Sequence, residues 1–278
     1  MFVIWCVVIL AVLMLLYLLL VMPRIFARPA KVFAQKYYAH RGLHDMTKNV
    51  PENSIAAFRR ALNAGYGIEL DVQLSKDRIP VVFHDFTLNR ICGVDGRVAD
   101  YTYEELEQFS LSGTSEKIPR FADVLAMVNG KVPLIVELKI ESLDISVCPV
   151  ADELLKNYKG PYCIESFNPI GLCWYRCNRG RVPRGQLADC FLKEEEYRGS
   201  RGLCRVLYLV LQNLLTNFLG RPDFIAYNHK YAQKISRKLC RKLFKTPAAA
   251  WTVRSREELK AAEEEFDVFI FEGFIPEK

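Results

Sequence analysis

The chain has 278 residues, of which 51% are hydrophobic and 25% are charged, so a disordered or collagen-like chain is excluded. This length suits one large domain or two small ones with a well-buried core. The 38 basic residues exceed the 32 acidic residues by six. That excess is too small and too dispersed for a nucleic-acid-binding protein, although it favours an anionic membrane surface or a phosphate substrate.

The N-terminal segment is an unbroken apolar run from Phe2 to Met22, without charge, glycine or proline. As a helix, its 21 residues would span about 31 Å, which matches a bilayer core. The alternative is a cleaved secretory signal peptide, which requires a basic segment before the run and a small-residue cleavage site after it. No Lys or Arg precedes Phe2, and the following residues make a poor cleavage site. We therefore predict a retained transmembrane helix over residues 1–22.

Positive charge follows this run, over a predicted basic linker at residues 23–36. The basic residues of this linker are Arg24, Arg28, Lys31 and Lys36, and no acidic residue appears before Asp45. The positive-inside rule then places this flank and the following domain, residues 37–278, in the cytoplasm. The nine cysteines are irregularly spaced and form no CxxC pair, which indicates free thiols in a reducing compartment. Together these features predict a single-pass cell-membrane protein with a cytoplasmic domain.

From Tyr37 onward, short β-branched or aromatic segments alternate with segments of helical period, which is typical of an α/β fold with a parallel sheet. The predicted strands are Tyr37–His40, Ile68–Val72, Val81–His84, Leu134–Lys139, Tyr162–Ser166, Gly185–Ala188, Phe224–Tyr227 and Ala249–Val253, with Val268–Phe271 as a late addition. About eight strands over this length suit a (β/α)8 TIM barrel. A doubly wound open sheet is compatible with the same pattern.

Three segments between the strands carry further predictions. Asn53 is a suitable N-cap for a helix over Ser54–Ala64. Residues 85–120 are longer than an ordinary βα connection, so we predict a small insertion after the third strand. Residues 203–219 are rich in Leu and Val, but recurring polar residues make a second membrane span improbable. They are predicted to form the sixth outer helix of the barrel, whose excess apolar surface is also compatible with a contact to the bilayer interface.

Charged and imidazole side chains lie at the ends of the early predicted strands. They are His40 and Arg41 on the first strand, Glu69 and Asp71 on the second, His84 on the third, and Glu137 and Lys139 on the fourth. Glu69 and Asp71 are two residues apart, so both side chains point to the same face of their strand, and the same holds for Glu137 and Lys139. In a barrel, all seven residues would meet at the carboxyl-terminal rim, where active sites lie.

The residue types at this rim point to a particular chemistry. Apolar neighbours predict strands that are buried on both faces, and buried charges need partners or a metal. Carboxylate oxygens suit Mg²⁺ or Ca²⁺ better than zinc. Arg and Lys suit a phosphate, and two histidines can act as acid and base on either side of a phosphorus centre. The set therefore indicates a metal-assisted phosphodiesterase.

Six motifs resemble the glycerophosphodiester phosphodiesterase family. They are AHRGLHDMTKNVPENS at 39–54, GIELDV at 67–72, PVVFHD at 80–85, IVELK at 135–139, PDFIAY at 222–227 and WTV at 251–253. The likeness covers essentially all of residues 37–275. It implies a TIM barrel with a small insertion and hydrolysis of glycerophosphodiesters to sn-glycerol 3-phosphate and an alcohol.

The resemblance also implies a role for each site residue. His40 and His84 would be the acid/base pair, Arg41 and Lys139 would bind the phosphate, and Glu69, Asp71 and Glu137 would bind Mg²⁺ or Ca²⁺. Glu52 and Asn53 would order the first loop or join the substrate site, and Trp251 would form a wall against the glycerol moiety. His44 matches no essential position and is expected to be an exposed loop residue.

Two alternatives to a soluble diester substrate remain open at the level of the sequence. One is a lysophospholipase D-like activity, in which a lysophospholipid in the membrane keeps one acyl chain. The other is a non-catalytic lipid-headgroup receptor on the same fold, against which the presence of all seven rim residues argues. Attack by water and attack by the neighbouring hydroxyl, which forms a cyclic phosphate first, are equally compatible with the sequence.

Overall fold

The computed structural model describes residues 1–25 and 31–277, apart from the side chains of residues 31 and 196. Part of the predicted linker, including Arg28, therefore lies outside the described residues. The strands are β1 Tyr37–Ala39, β2 Gly67–Leu74, β3 Pro80–Val82, β4 Leu134–Leu138, β5 Tyr162–Ser166, β6 Arg184–Ala188, β7 Phe224–Asn228, β8 Ala248–Val253 and β9 Val268–Phe271. All of them except β3 pair in parallel, and β1 pairs with both β2 and β9, which closes an eight-stranded barrel. The predicted TIM barrel is confirmed.

The helices lie mainly between the strands and around the barrel. They are α1 Phe2–Val21, α2 Ile55–Asn63, α3 Asn89–Cys92, α4 Tyr103–Leu106, α5 Phe121–Val128, α6 Val147–Leu155, α7 Pro169–Asn178, α8 Glu195–Arg198, α9 Gly202–Gln212, α10 Asn217–Gly220, α11 Ile235–Lys242 and α12 Arg256–Ala262. The segment predicted as a single sixth outer helix is thus divided into α9 and α10.

The third predicted strand differs from the expectation. It is the short strand β3, which pairs antiparallel with β2 and lies outside the closed barrel. The late candidate Val268–Phe271 instead completes the barrel as β9. The segment after β3 has its own small apolar core, which includes Phe83, Leu88, Leu106 and Ile118. This core holds the chain near the barrel rim, and the chain returns beside β3 where Val82 N donates to Pro119 O.

Alternate residues of the barrel strands point into the barrel, and their character changes along its axis. One half of the interior is apolar and contains Tyr38, Ile135 and Phe224. The Phe224 ring requires Gly185 beside it, because a Cβ at position 185 would lie 2.2 Å from that ring. Toward the carboxyl ends of the strands the interior is acidic, with the buried side chains Glu69, Asp71, Glu137 and Glu165. The interior of the barrel is therefore a packed apolar core in one half. In the other half, at the carboxyl ends of the strands, these four acidic side chains form a charged cup.

Helix α2 begins one residue later than predicted. Its N-cap is Ser54, whose side chain accepts a hydrogen bond from Ala57 N. Asn53 has a positive φ of 54°, and its side-chain amide donates to Asp71 Oδ2 over 2.9 Å. Asn53 is therefore not the cap, because its side chain is held by the acidic cluster inside the barrel.

Helix α1 is long and apolar enough to cross a membrane by length and composition, a test that a signal sequence near the N-terminus also passes. Most of its side chains are exposed, but its last turn packs on the barrel flank. Asn217 Nδ2 donates to Val21 O over 2.7 Å, and Arg24 Nη1 lies 3.2 Å from Asp223 Oδ1. The end of α1 is thus attached to the barrel at α10 and at the residue that precedes β7.

Candidate active site

Three carboxylates meet at the acidic end of the barrel interior. Glu69, Asp71 and Glu137 each offer an oxygen within 4.8 Å of the others, and all three are buried. Asp71 on β2 is directly opposite Glu137 on β4 in the parallel register. The i, i+2 spacing of Glu69 and Asp71 puts both on the inner face, as predicted, because strand side chains alternate with a period of two.

Two cations lie against these carboxylates. Arg41 donates its backbone N–H to Glu69 Oε2 over 2.9 Å, and its Nε lies 3.6 Å from Asp71 Oδ2. Lys139 Nζ donates to Glu137 Oε1 over 2.9 Å and lies 3.6 Å from Asp71 Oδ1. Arg41 has a positive φ of 52°, which lets the chain turn at the end of β1 and direct this backbone N–H toward the cluster.

Burial and charge divide the three carboxylates into two kinds. Burial would raise the pKa of Asp71, but the charges of His84, Lys139 and Arg41 outweigh it and lower that pKa. Burial, followed by the charges of Asp71, Glu165 and Glu137, raises the pKa of Glu69 well above its usual range. The pKa of Glu137 is also raised, chiefly by burial, although Lys139 opposes the shift. The cluster is therefore under strong mutual repulsion, which a bound cation would relieve.

The donor set fits a divalent cation. It consists of hard carboxylate oxygens only, the kind of ligand that Mg²⁺ and Ca²⁺ prefer. Asp71 Oδ1 is buried and accepts no hydrogen bond from the part of the chain that the structure describes. A buried oxygen without a donor is costly unless it has another partner, and a cation between the three carboxylates would supply one. These features do not distinguish Mg²⁺ from Ca²⁺.

His40 follows β1 and is held by a carboxylate that directly follows the last strand, β9. Its Nδ1 lies 2.5 Å from Glu272 Oε2, and Arg254 Nε donates to the other oxygen of Glu272 over 2.7 Å. Burial, with the charge of Arg41, lowers the pKa of His40 to about 4, although Glu272 opposes that shift. His40 is thus a neutral imidazole at neutral pH, and Nε2 is its ring nitrogen that remains for a reacting group.

His84 has the same type of support from a different part of the chain. Its Nδ1 lies 2.6 Å from Asp85 Oδ1, and Arg90 Nε donates to Asp85 Oδ2 over 2.6 Å. Arg90 also donates to both oxygens of Glu52. Because the carboxylate of Glu52 also accepts from Arg41 Nη1 over 2.7 Å, one charged network connects the two histidine-bearing segments.

The other predicted site residues lie at or near this cup. Glu52 holds Arg41 and Arg90, which favours its expected role in ordering the first loop. Asn53 is 1% exposed and donates to Asp71, so it holds one carboxylate of the cluster. Trp251 on β8 is partly buried, and its Nε1 is a buried donor without an acceptor among the described residues. The Trp251 ring meets Phe167 edge to face, with ring centroids 5.5 Å apart.

Sequence reasoning assigned no role to Glu272, Asp85, Arg90 or Glu165. Asp85 directly follows His84, which was the available signal for a carboxylate on that imidazole. Glu272 is 232 residues from His40, and no local pattern connects the two. Glu165 is 1% exposed, and burial, together with Glu137 and Asp71, raises its pKa well above the usual range. It adds a fourth acid to the cup.

The prediction for His44 was wrong, because this side chain is only 22% exposed and its Nε2 lies 3.6 Å from Glu272 Oε2. It therefore belongs to the surroundings of His40. The side chain of His229, after β7, is 8% exposed, and its Nε2 lies 3.4 Å from Glu258 Oε2 at the start of α12. His229 is thus held by an outer helix.

Several known proteins that resemble this chain are glycerophosphodiester phosphodiesterases. The profile of the glycerophosphoryl diester phosphodiesterase family matches residues 40–264. A glycerophosphodiester phosphodiesterase of Caldanaerobacter subterraneus is 36% identical over 168 residues, which are 56% of this chain and 68% of the relative. Two relatives from Bacillus are matched over 54% and 51% of their own length.

Solved structures share the fold. The glycerophosphodiester phosphodiesterase of Thermotoga maritima superposes with a TM-score of 0.64 at 25% identity, over 85% of this chain and 94% of that one. A phosphodiesterase of Oleispira antarctica, solved with the product sn-glycerol 3-phosphate, gives a TM-score of 0.66 at 23% identity, over 85% and 92% of the two chains. With most of the barrel matched by the family profile, this chain belongs to the glycerophosphoryl diester phosphodiesterase family of phosphodiester hydrolases.

Proposed function

We propose that this protein is a membrane-anchored, metal-dependent glycerophosphodiester phosphodiesterase that releases sn-glycerol 3-phosphate and an alcohol. The observation that carries the proposal is the buried carboxylate cluster of Glu69, Asp71 and Glu137, with a cation on either side of it. Such a cluster supports a divalent cation and, through it, a phosphate anion. The product bound to the Oleispira antarctica relative, sn-glycerol 3-phosphate, carries a phosphate anion of this kind.

The carboxylates would hold Mg²⁺ or Ca²⁺, which supplies Lewis acidity and offsets the negative charge that develops on the phosphate. Arg41 and Lys139 add positive charge beside the same position, where a phosphate oxygen would bind. Both cations are deeply placed, with side chains 15% and 8% exposed. They can therefore act on the substrate in an environment of low dielectric constant, where each charge has a larger effect than in water.

The two histidines would move the protons. His40 is neutral at neutral pH, so its Nε2 can take the proton from the attacking hydroxyl, either of water or of the neighbouring glycerol carbon, as the new P–O bond forms. His84 can then give a proton to the oxygen of the departing alcohol as the second P–O bond breaks. Glu272 and Asp85 hold the Nδ1 atoms of the two rings, which keeps each Nε2 directed toward the substrate.

We also infer that the domain lies at the cytoplasmic face of a membrane, with α1 as a single span. The support is the apolar length of α1, the hydrogen bonds that attach its last turn to the barrel, and the basic flank that follows. The positive-inside rule favours this orientation. Attachment of Arg24 to Asp223 keeps the barrel close to the end of the span.

The proposal is tested with the full chain in nanodiscs. Glycerophosphocholine is added with Mg²⁺, Ca²⁺ or EDTA, and phosphorus NMR follows the products. We expect sn-glycerol 3-phosphate only in the presence of a divalent cation, and a cyclic phosphate before it if the neighbouring hydroxyl attacks. His84→Asn should lower the rate by about 10²–10⁴-fold.

His229→Asn is the matched control, because it also replaces a histidine next to a carboxylate, but that carboxylate, Glu258, belongs to the outer helix α12 and not to the network around His84. It should keep the wild-type rate. Folded wild-type protein that binds glycerophosphocholine and never hydrolyses it would contradict the proposal and would instead favour the receptor interpretation.

A further inference from the structure

A cavity of about 370 Å³ lies where the end of α1 meets the barrel. Its charged lining consists of arginines: Arg24 after α1, Arg176 on α7, Arg184 at the start of β6, and Arg221 after α10. No carboxylate lines it among the described residues. The end of α7 and the starts of β6 and β7 lie at the amino-terminal end of the barrel, so this arginine cavity is opposite the acidic cup.

The charge of the arginine cavity is not neutralised by the protein around it. Its one carboxylate neighbour within the described ranges is Asp223, whose two oxygens lie 3.2 Å from Arg24 Nη1 and 3.5 Å from Arg184 Nη1. Arg176 and Arg221 form no ion pair in the part of the chain that the structure describes. Burial lowers the pKa of Arg184, as do the charges of Arg24 and Arg176, although Asp223 opposes the shift. A bound anion would relieve this repulsion.

The arginines also keep hydrogen-bond donors available. Arg184 is 3% exposed, and its Nε donates to Gly220 O over 2.6 Å. Its Nη1 is buried and donates to no acceptor in the described residues, which is costly unless another partner is present.

In the other three arginines, Nη1 donates to a backbone carbonyl and fixes the guanidinium group. The Nη2 group of each has no acceptor within residues 1–25 and 31–277. Positioned guanidinium groups with unused donors are suited to the oxygens of a phosphate.

The position of the arginine cavity points to a lipid as the source of that phosphate. Helix α1 ends at Val21, and residues 22–25 form one wall of the cavity. If α1 spans a bilayer, this wall lies where the chain leaves the hydrocarbon, at the level of the lipid headgroups. Ile25 is 47% exposed on the same wall, so an apolar side chain lies beside the basic ones. A cavity for a free anion would not need this place beside the span.

Further positive charge lies near the end of α1. Helix α11 contacts it where Cys240 Sγ donates to Val21 O over 3.6 Å. Lys242, at the end of α11, and Lys245, just after it, are exposed. Basic side chains next to a span attract the anionic lipids of the adjoining leaflet.

We propose that the arginine cavity binds the headgroup phosphate of an anionic phospholipid from the bilayer that contains α1, with the acyl chains of that lipid beside α1. The proposal rests on α1 as a membrane span, which is part of the proposed function, but not on hydrolysis at the acidic cup. An anionic headgroup is favoured over a zwitterionic one, because the same arginines would repel the ammonium group of choline. The bound lipid would hold the end of the span against the barrel.

The test uses the full chain in detergent, mixed with equal amounts of phosphatidylglycerol and phosphatidylcholine that carry the same acyl chains. Native mass spectrometry counts each lipid that stays bound. We expect the wild type to retain phosphatidylglycerol about tenfold or more over phosphatidylcholine. In the double variant Arg176→Gln, Arg221→Gln this preference should fall about tenfold, because two guanidinium groups without an ion-pair partner are lost.

The matched control is the double variant Arg59→Gln, Lys76→Gln. It removes the same charge from exposed residues on α2 and after β2, across the barrel from β7, and it should keep the lipid preference. Wild-type protein that retains both lipids equally would overturn the proposal, even if the arginine variant does not fold. An arginine variant with the same preference as the control would overturn it too.

Inorganic phosphate distinguishes a lipid from a free anion. It should displace phosphatidylglycerol only in large excess, because it has no acyl chains. Displacement at equal concentration would show that the cavity takes free phosphate and would overturn the proposal. Hydrolysis of glycerophosphocholine is measured on the same samples and should be unchanged in both variants. Hydrolysis without a lipid preference would contradict the lipid site alone, and a lipid preference without hydrolysis would contradict the proposed function alone.

Discussion

The buried carboxyl of Glu69 lies among other carboxylates, and its ionisation lowers the stability of the metal-free folded protein. It is 2% exposed, and burial and three neighbouring carboxylates raise its pKa well above the ordinary value of 4.5. A carboxyl whose pKa is raised by folding destabilises the folded state as the pH rises through its unfolded-state value, and the loss is complete above its folded-state value. Glu69→Gln removes this titration and keeps an oxygen that can accept from Arg41 N.

The size of the effect follows from proton linkage. Between pH 4.5, the ordinary pKa, and pH 7, each pH unit contributes about 1.4 kcal/mol, so the wild type loses at most about 3 kcal/mol of stability. In EDTA at pH 7, Glu69→Gln should recover up to that amount, a rise in the unfolding temperature of up to about 10 °C for a domain of this size. At pH 5 the gain should fall below about 1 kcal/mol.

The assay is thermal unfolding of the full chain in detergent, at both pH values, in EDTA and in saturating Mg²⁺ or Ca²⁺. The cation should stabilise the wild type by mass action and the variant much less, because one of three ligands is replaced. Glu165→Gln is the matched control. It removes another buried carboxyl with a raised pKa and should stabilise the metal-free protein while metal stabilisation is retained.

Two results would refute this reasoning. If Glu69→Gln is no more stable than the wild type in EDTA at pH 7, the carboxylates do not repel one another as the structure indicates. If the cation stabilises Glu69→Gln as strongly as the wild type, Glu69 is not a ligand.

Two further predictions concern the support of His40 and the packing of the barrel. Glu272→Gln should lower kcat/KM by up to about 100-fold because Nδ1 loses its anionic partner. It should also move the acidic limb of the pH–rate profile to lower pH, because the carboxylate favours protonated His40; an unmoved limb would contradict this. Gly185→Ala places a Cβ 2.2 Å from the Phe224 ring and should cost about 1–3 kcal/mol of unfolding free energy, measured by urea unfolding. An unchanged midpoint would show that the ring can move aside.

Several parts of the candidate site could be read from the sequence because they depend on local rules. Glu69 and Asp71 share a face because strand side chains alternate. The strand-end positions of His40 and Glu137 predicted their convergence, because parallel barrel strands present their carboxyl ends at one rim. The alternating pattern of strands and helices predicted the barrel itself. Although β3 lies outside the barrel, the last predicted strand, β9, supplies the eighth parallel strand that closes it.

Other features were decided only by tertiary structure. The edge of β2 that pairs with β3 depends on the order of the barrel strands. The antiparallel direction of β3 follows from the five residues that join it to β2, which are too few for a parallel crossover. Glu272 reaches His40 across 232 residues, a separation that closure of the barrel by β1 and β9 makes short. Arg90 joins Asp85 to Glu52, which lies 38 residues earlier in the chain, so that pairing also depends on the packed loops at the rim. Local sequence determines which face of a strand or helix each side chain occupies, because that follows from backbone periodicity. Which distant charge lies opposite it depends on strand order and closure, and these are properties of the whole packed chain.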